Sequence, residues 1–337
     1  MLTVSLAEPG RFEALEAPDP APGPGEALVR VHRLGVCGTD LHAFTGRQPF
    51  FSYPRILGHE LGVEVVEAGE GVDLPTGCRC CVAPVMACGR CIACRRGRTN
   101  ACENIAVLGV HADGGMRERF VVPAANLHPS ASLSFDQLAL IETLTIGCHA
   151  VDRGGVEAGE TALVVGAGPI GLTAIQFLLA RGADVIVMDL SDERLAFCRD
   201  VLGVARTLNP AGRDAAAALR EINGGDLPTA LFDATGHAGS MAAGFELVAH
   251  GGRIVFIGFF RGDLTFDDTN FHKRELTLFA SRNSTPEAFR RTIAMVEAGE
   301  IDTAPWITHR LPLSGVVDRF GGLAKQPGLI KAMIEVA

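Results

Sequence analysis

Along the first 150 residues the apolar positions come in short runs broken by Gly, Pro and Asp. Residues 27–34 alternate in part, 62–68 carry Val63, Val65 and Val66, and 120–122 form another short run, so a β-rich domain is predicted. The Pro-rich stretch 18–24 reads as a stiff loop. At Ser134-Phe135-Asp136-Gln137 the pattern changes to a capping-box signature, followed by Leu138, Ile141, Thr145 and Cys148 at helical spacing. A helix is predicted from there to about Asp152. Beyond it, apolar runs at 161–165, 184–188, 229–232, 253–257 and 276–279 alternate with helical stretches, the signature of a doubly wound parallel sheet. A helix over 286–298 and a mixed tail complete the pattern.

The run 161–165 leads directly into Gly166-Ala167-Gly168-Pro169-Ile170-Gly171, and Asp189 closes the next run 18 residues after Gly171. Glycines at this spacing let the backbone turn tightly and approach a pyrophosphate, which the N–H groups of the following helix then bind. Asp189 stands where a carboxylate bonds the ribose hydroxyls of the adenosine half and repels the extra phosphate of NADP, so NAD is the expected cofactor. Arg194 pairs either with Asp189 or with a phosphate. Two later turns, at Thr235 and at Ile257-Gly258, are expected at the same carboxyl edge of the sheet.

Ten cysteines in a chain of 337 residues change the picture further. Cys88-x2-Cys91-x2-Cys94-x7-Cys102 gathers four thiols within fifteen residues, among Arg90, Arg95, Arg96 and Arg98. Four thiolates suit a closed, structural tetrahedral zinc; an iron–sulfur cluster or unliganded thiols are the alternatives. A second set is dispersed: Cys37-Gly38-Thr39-Asp40-Leu41-His42, then Gly58-His59-Glu60, then Glu142. Thiolate, imidazole and carboxylate together suit Zn²⁺ with one exchangeable position, although a single residue such as His59 is more often merely structural. Two zinc ions per chain are therefore expected. Cys78, Cys80 and Cys81 are expected to be buried thiols.

The charge of −9, with one Trp and one Tyr, argues against nucleic acid as a partner. The apolar stretch 170–180 is too short for a membrane span and residues 1–10 lack signal-peptide character, so the expected location is the cytoplasm. Forty glycines, against about 24 for average usage, indicate many tight turns and close backbone approaches.

Taken in order, the Cys37–His42 motif, Gly58-His59-Glu60, the four-cysteine lobe and Gly166-x-Gly168-x-x-Gly171 resemble the zinc-dependent medium-chain dehydrogenases across nearly the whole chain. The stretch Ile141-Glu142-Thr143-Leu144 to His149-Ala150, with Gly154-Gly155-Val156, is most similar to the sorbitol and polyol dehydrogenase branch. That resemblance implies a GroES-like β-rich catalytic domain, 1–151 with 284–337, and a Rossmann NAD-binding domain, 152–283. It also implies Cys37, His59 and the Glu60/Glu142 pair around a catalytic zinc, Thr39 as acceptor of the alcohol proton and His42 as its outlet to solvent. The activity implied is hydride transfer from a secondary alcohol of a polyol or sugar acid to NAD⁺, by a homodimer or homotetramer. Arg117 and Arg282 are candidates to hold a substrate carboxylate. A threonine-type secondary alcohol is the alternative substrate; a catalytically silent NAD-binding protein and a zinc-ribbon module are the competing classes. The sequence departs from the family where Val63 replaces a usual Gly, where Gly77-Cys78-Arg79-Cys80 replaces Gly-Asp-Arg-Val, and where Thr143 replaces a Pro.

Overall fold

Strand Glu26–Gly35 is the spine of the first sheet, with Val29, Val31 and Leu34 wholly buried. The computed structural model describes residues 1–48 and 51–337. They form two units, Met1–Glu142 with Thr285–Ala337, and Thr143–Ser284.

In the first unit a seven-stranded sheet runs in the order Ile307–Pro312, Lys331–Glu335, Glu26–Gly35, Glu60–Ala68, Arg79–Val82, Leu127–Pro129, and Arg119–Pro123 pairs the first half of the spine. The chain's last strands thus lie beside its early ones, with Met333 opposite Gly35 and Gly35 opposite Glu60. Two glycines permit close approaches here. A Cβ on Gly35 would stand 2.0 Å from Glu60 Oε2, and one on Gly62 would stand 2.3 Å from the Phe135 carbonyl oxygen.

In the second unit six parallel strands run in the order Arg206–Leu208, Asp184–Met188, Thr161–Val165, Ala230–Asp233, Arg253–Phe256, Thr277–Ala280. Leu163, Ile186, Leu231 and Ile254 are buried completely, as strands covered on both faces require. The order reverses between Thr161–Val165 and Ala230–Asp233, and this switch point opens a crevice at the carboxyl ends of the strands. Fold class is therefore α/β in this unit and β-rich in the other.

The helix predicted from the capping box is Phe135–Gly154. Ser134 N–H donates to Gln137 Oε1 at 2.9 Å, and Gln137 N–H donates back to Ser134 Oγ at 3.3 Å. It runs past the expected Asp152 because its end is stopped by Gly155, at φ 58°, while Arg253 bonds the Gly154 carbonyl. The strand expected at 229–232 is displaced by one residue so that it ends on Asp233, whose buried carboxylate accepts bonds from Thr235 and Ser240. Among the described residues, no helix is long and apolar enough to cross a membrane.

Candidate active site and metal centres

Cys37 ends the turn after the spine strand and caps the short helix Gly38–Phe44. Its N–H donates to Asp40 Oδ2 at 2.9 Å. Thr39 and His42 follow on this helix, three residues apart and so on one face; Thr39 is half-buried and His42 exposed. Gly58, at φ 97°, turns the chain into His59 and then Glu60, which begins the neighbouring strand. This brings the ligand atoms of Cys37, His59 and Glu60 within 4.8 Å of one another. Glu142, from the Phe135–Gly154 helix, is tied to that group by its charge interactions with His59 and Glu60.

Four acidic groups crowd this region: Cys37, Glu60, Glu142 and the wholly buried Asp40. The buried Lys331 answers one of them, donating to Glu60 Oε1 at 2.6 Å. Burial alone would lower the His59 pKa, but Asp40, 3.8 Å from its Nδ1, and Cys37 outweigh that and hold the imidazole well above its ordinary value. Desolvation, with Glu60 and Asp40 adding to it, pushes Glu142 up to about 7 against the pull of His59 and Lys331. Burial likewise raises Asp40. Acidic groups outnumber cationic ones here: negative charge holds the proton on His59, whereas burial favours the protonated forms of Glu142 and Asp40. A dication resolves that excess, and the buried His59 Nδ1 and Asp40 Oδ1 make no hydrogen bond. Thiolate, imidazole and carboxylate donors in this setting fit zinc.

The four-cysteine lobe is compact and separate. Cys88, Cys91, Cys94 and Cys102 offer sulfurs within 4.8 Å of one another, with Cys91 3.4 Å from Cys94 and 3.9 Å from Cys102. Tetrahedral zinc with bonds of about 2.3 Å requires sulfurs about 3.8 Å apart, so the lobe fits the metal. Backbone N–H groups of Arg90 and Cys91 pull the Cys88 thiol down to about 6, in favour of the thiolate a metal needs.

At the carboxyl edge of the parallel sheet, Gly166 takes φ 94°. A Cβ on Gly171 would lie 1.7 Å from the Gly166 carbonyl, so only glycine lets the helix Pro169–Ala180, which begins with Pro169 and Ile170, start this close to the strand. Asp189 receives the N–H of Ala167 at 2.6 Å and of Ser191 at 2.8 Å, which fixes its carboxylate beside the glycine turn. Exposed Arg194 reaches the same turn: its Nη1 would be 3.7 Å from a Cβ on Gly168. Thr235 spends its hydroxyl on Asp233 at 2.7 Å. Half-buried Ile257 and Gly258 pack on the Thr235 turn, where a Cβ on Gly258 would stand 2.4 Å from Gly236 N.

Three residues escaped the sequence reading. Lys331 is visible in the sequence only as a charge inside an apolar run, Asp40 has no distinct signal within the Cys37–His42 motif, and Gly35 carries none. Of the carboxylate-binding candidates, Arg117 is half-buried and donates Nε–H to the Gly114 carbonyl at 3.0 Å, with its guanidinium over Phe120, while Arg282 is exposed.

A dinucleotide crevice in one unit and a thiolate–imidazole–carboxylate centre in the other define a metal-dependent oxidoreductase. Residues 23–132 match the alcohol dehydrogenase GroES-like domain, and residues 169–298 match the zinc-binding dehydrogenase family. The chain belongs to the zinc-dependent medium-chain dehydrogenases, and its cofactors are zinc and a nicotinamide dinucleotide. It is 44% identical over 302 residues to L-galactonate-5-dehydrogenase of Escherichia coli (strain K12), covering 89% of this chain and 88% of that one. It is 35% identical over 339 residues to D-altritol 5-dehydrogenase of Agrobacterium fabrum, covering 98% of each. Among solved structures it resembles the alcohol dehydrogenase RspB of E. coli CFT073 in complex with NADH, at TM-score 0.94 and 32% identity, covering 100% of this chain and 99% of that one.

Proposed function

We propose that this enzyme oxidises a secondary alcohol of a sugar acid or polyol with NAD⁺, giving the ketone, NADH and a proton. The observation that carries the substrate class is the 44% identity with a hexonate dehydrogenase over 89% of the chain. When bound, zinc supplies Lewis acidity toward an alcohol oxygen and NAD⁺ supplies the hydride acceptor. Cys37, His59, Glu60 and Glu142 would hold the catalytic metal, and Cys88, Cys91, Cys94 and Cys102 the structural one. Thr39 Oγ1 would accept the alcohol proton as its own hydroxyl proton leaves, and the exposed imidazole of His42, one turn along the same helix, would take up the relayed proton and return it to solvent. Lys331 holds the Glu60 carboxylate in place and offsets its charge. Gly166, Gly168, Pro169, Ile170, Gly171, Thr235, Ile257 and Gly258 would line the dinucleotide crevice. The fixed carboxylate of Asp189 favours NAD over NADP, because a ribose phosphate would meet a like charge there.

A cytoplasmic homodimer or homotetramer is part of this proposal. Thr277–Ala280 is an edge strand with Thr277, Leu278 and Ala280 exposed, a surface that a second copy would cover, and ten unbridged thiols favour a reducing compartment.

The test is a substrate panel followed by NADH absorbance: hexonates, hexitols, pentitols and L-threonine. The highest kcat/KM is expected with a hexonate or hexitol. A preference for L-threonine would assign the enzyme to amino alcohols, and no turnover of any of them by protein carrying two zinc ions would overturn the proposal.

A further inference from the structure

Five cysteines have no part in either metal centre, and three of them, Cys78, Cys80 and Cys81, fall within four residues. Cys80 lies on the strand Arg79–Val82 opposite Val63, three residues along the neighbouring strand from Glu60, and it is wholly buried. Cys81 points to the other face of the sheet, since successive residues of a strand alternate. Cys78 lies just before the strand, at the end of a turn in which Gly77 adopts φ 84° with open space around its Cα. The turn is held to the sheet by Val65 N–H donating to the Cys78 carbonyl at 2.9 Å. The Cys78 side chain is half-buried, and its Sγ stands 3.8 Å from Cys80 Sγ. No sulfur of the four-cysteine lobe belongs to this pair.

We propose that Cys78 and Cys80 form a redox site that closes to a disulfide under attack by small-molecule disulfides. The two sulfurs need approach by less than 2 Å to reach the bond length of about 2.0 Å, a movement within reach of side-chain rotation on the Cys78 side. Access divides the roles. Cys78, the thiol open to solvent, attacks the small disulfide RSSR as its thiolate, forming Cys78–S–S–R and releasing RS⁻, which takes up the proton that Cys78 gave up. Cys80, shielded from solvent and already beside Cys78, then displaces the second RS⁻ and its proton passes to that leaving group. The protein dithiol is oxidised by two electrons, and one RSSR is reduced to two RSH. Burial raises the Cys80 thiol pKa, which makes it a poor first nucleophile and leaves it to act as the resolving partner. In a reducing compartment the resting state is the dithiol, so the site would register a rise in the oxidised thiol pool.

The intervening Arg79 makes the test direct, because trypsin cuts between the two cysteines. The zinc-loaded enzyme is treated with glutathione disulfide, alkylated, digested without reduction and analysed by mass spectrometry. Peptides 56–79 and 80–90 are expected to remain joined, two hydrogens lighter than their sum, with fragment ions placing the bond on Cys80. Two fewer thiols per chain should be alkylated than in untreated enzyme, zinc should be retained, and dithiothreitol should restore both thiols. C78S, altered at the half-exposed position, should lose the link while keeping its zinc and its melting temperature. A stable glutathione adduct on Cys78 with Cys80 free would overturn the proposal. So would a link from Cys78 to Cys81, or oxidation confined to the four-cysteine lobe with release of zinc.

Discussion

Replacement of Lys331 by Met tests the charge balance of the pocket proposed to hold the catalytic metal. Lys331 is 2% exposed and its ammonium lies 2.6 Å from Glu60 Oε1, so both charges have left water and depend on each other. Removing one member of a buried ion pair costs about 3–5 kcal/mol, most of it the penalty of the charge left behind. For a unit of this size that corresponds to about 2–4 °C per kcal/mol, a fall in melting temperature of about 6–20 °C. Trp306, the one tryptophan of the chain, is wholly buried in the same unit, so its fluorescence follows that unit through a urea titration. The double variant K331M/E60Q, which leaves no orphaned carboxylate at that pair, should recover at least half of the loss. K273M, at an exposed lysine, is the control. If K331M cost less than about 1 kcal/mol, the range of surface pairs, the pair would not act as a buried one and the reasoning would fail.

Three further outcomes are expected. D189A should lower kcat/KM for NAD by about 10–100-fold, the worth of hydrogen bonds from a charged group, while changing NADP turnover little; equal or better turnover of NADP by the unaltered enzyme would refute the assigned preference. Because a carboxylate binds Zn²⁺ less tightly than a thiolate, a mild chelator should remove one zinc together with activity and leave the four-thiolate zinc, and E142A should show the same loss with NAD binding intact; simultaneous release of both metals would contradict this. Burial works to raise the Glu160 pKa, but bonds from Arg253, Thr229 and the Glu157 N–H prevail and hold it at about 2, against an ordinary 4.5. The stability this gives is complete above pH 4.5 and lost as pH falls through 2, so E160Q should be about 1 kcal/mol less stable at pH 7, discounted for solvent screening, and equal to the parent near pH 2; a deficit that grew on acidification would be the wrong sign.

What could be foreseen from the sequence was what is local in the chain. The glycine turn, the capping box at Ser134 and Gln137, and the four thiols within fifteen residues each announce themselves in a short window, because a turn, a cap and a metal lobe are built by near neighbours. The α/β fold class followed from the alternation of strands and helices. Helix and strand ends were less legible, since Gly155 and the Arg253 bond to Gly154 are set by packing against the sheet. The surroundings of Glu60 were not legible at all. Gly35 is needed because the Glu60 carboxylate lies across its Cα, and Lys331 is needed because that carboxylate is buried; both are consequences of strand register, which no local pattern records.

The pairing of Glu60 with Lys331 joins residues 271 positions apart. During synthesis at about 5–20 residues per second, the carboxylate emerges about 15–50 s before the lysine that neutralises it. Through that interval the end of the Glu26–Gly35 strand, Arg33 to Gly35, also lacks its second neighbour, because Lys331–Glu335 is still to be made. The sheet carrying the proposed catalytic centre is therefore among the last parts of the nascent chain to close, whereas the six parallel strands, all translated by residue 280, can assemble earlier. Zinc arriving before release would meet a half-built pocket with surplus negative charge, and the order of metal capture and strand closure becomes a property of translation speed.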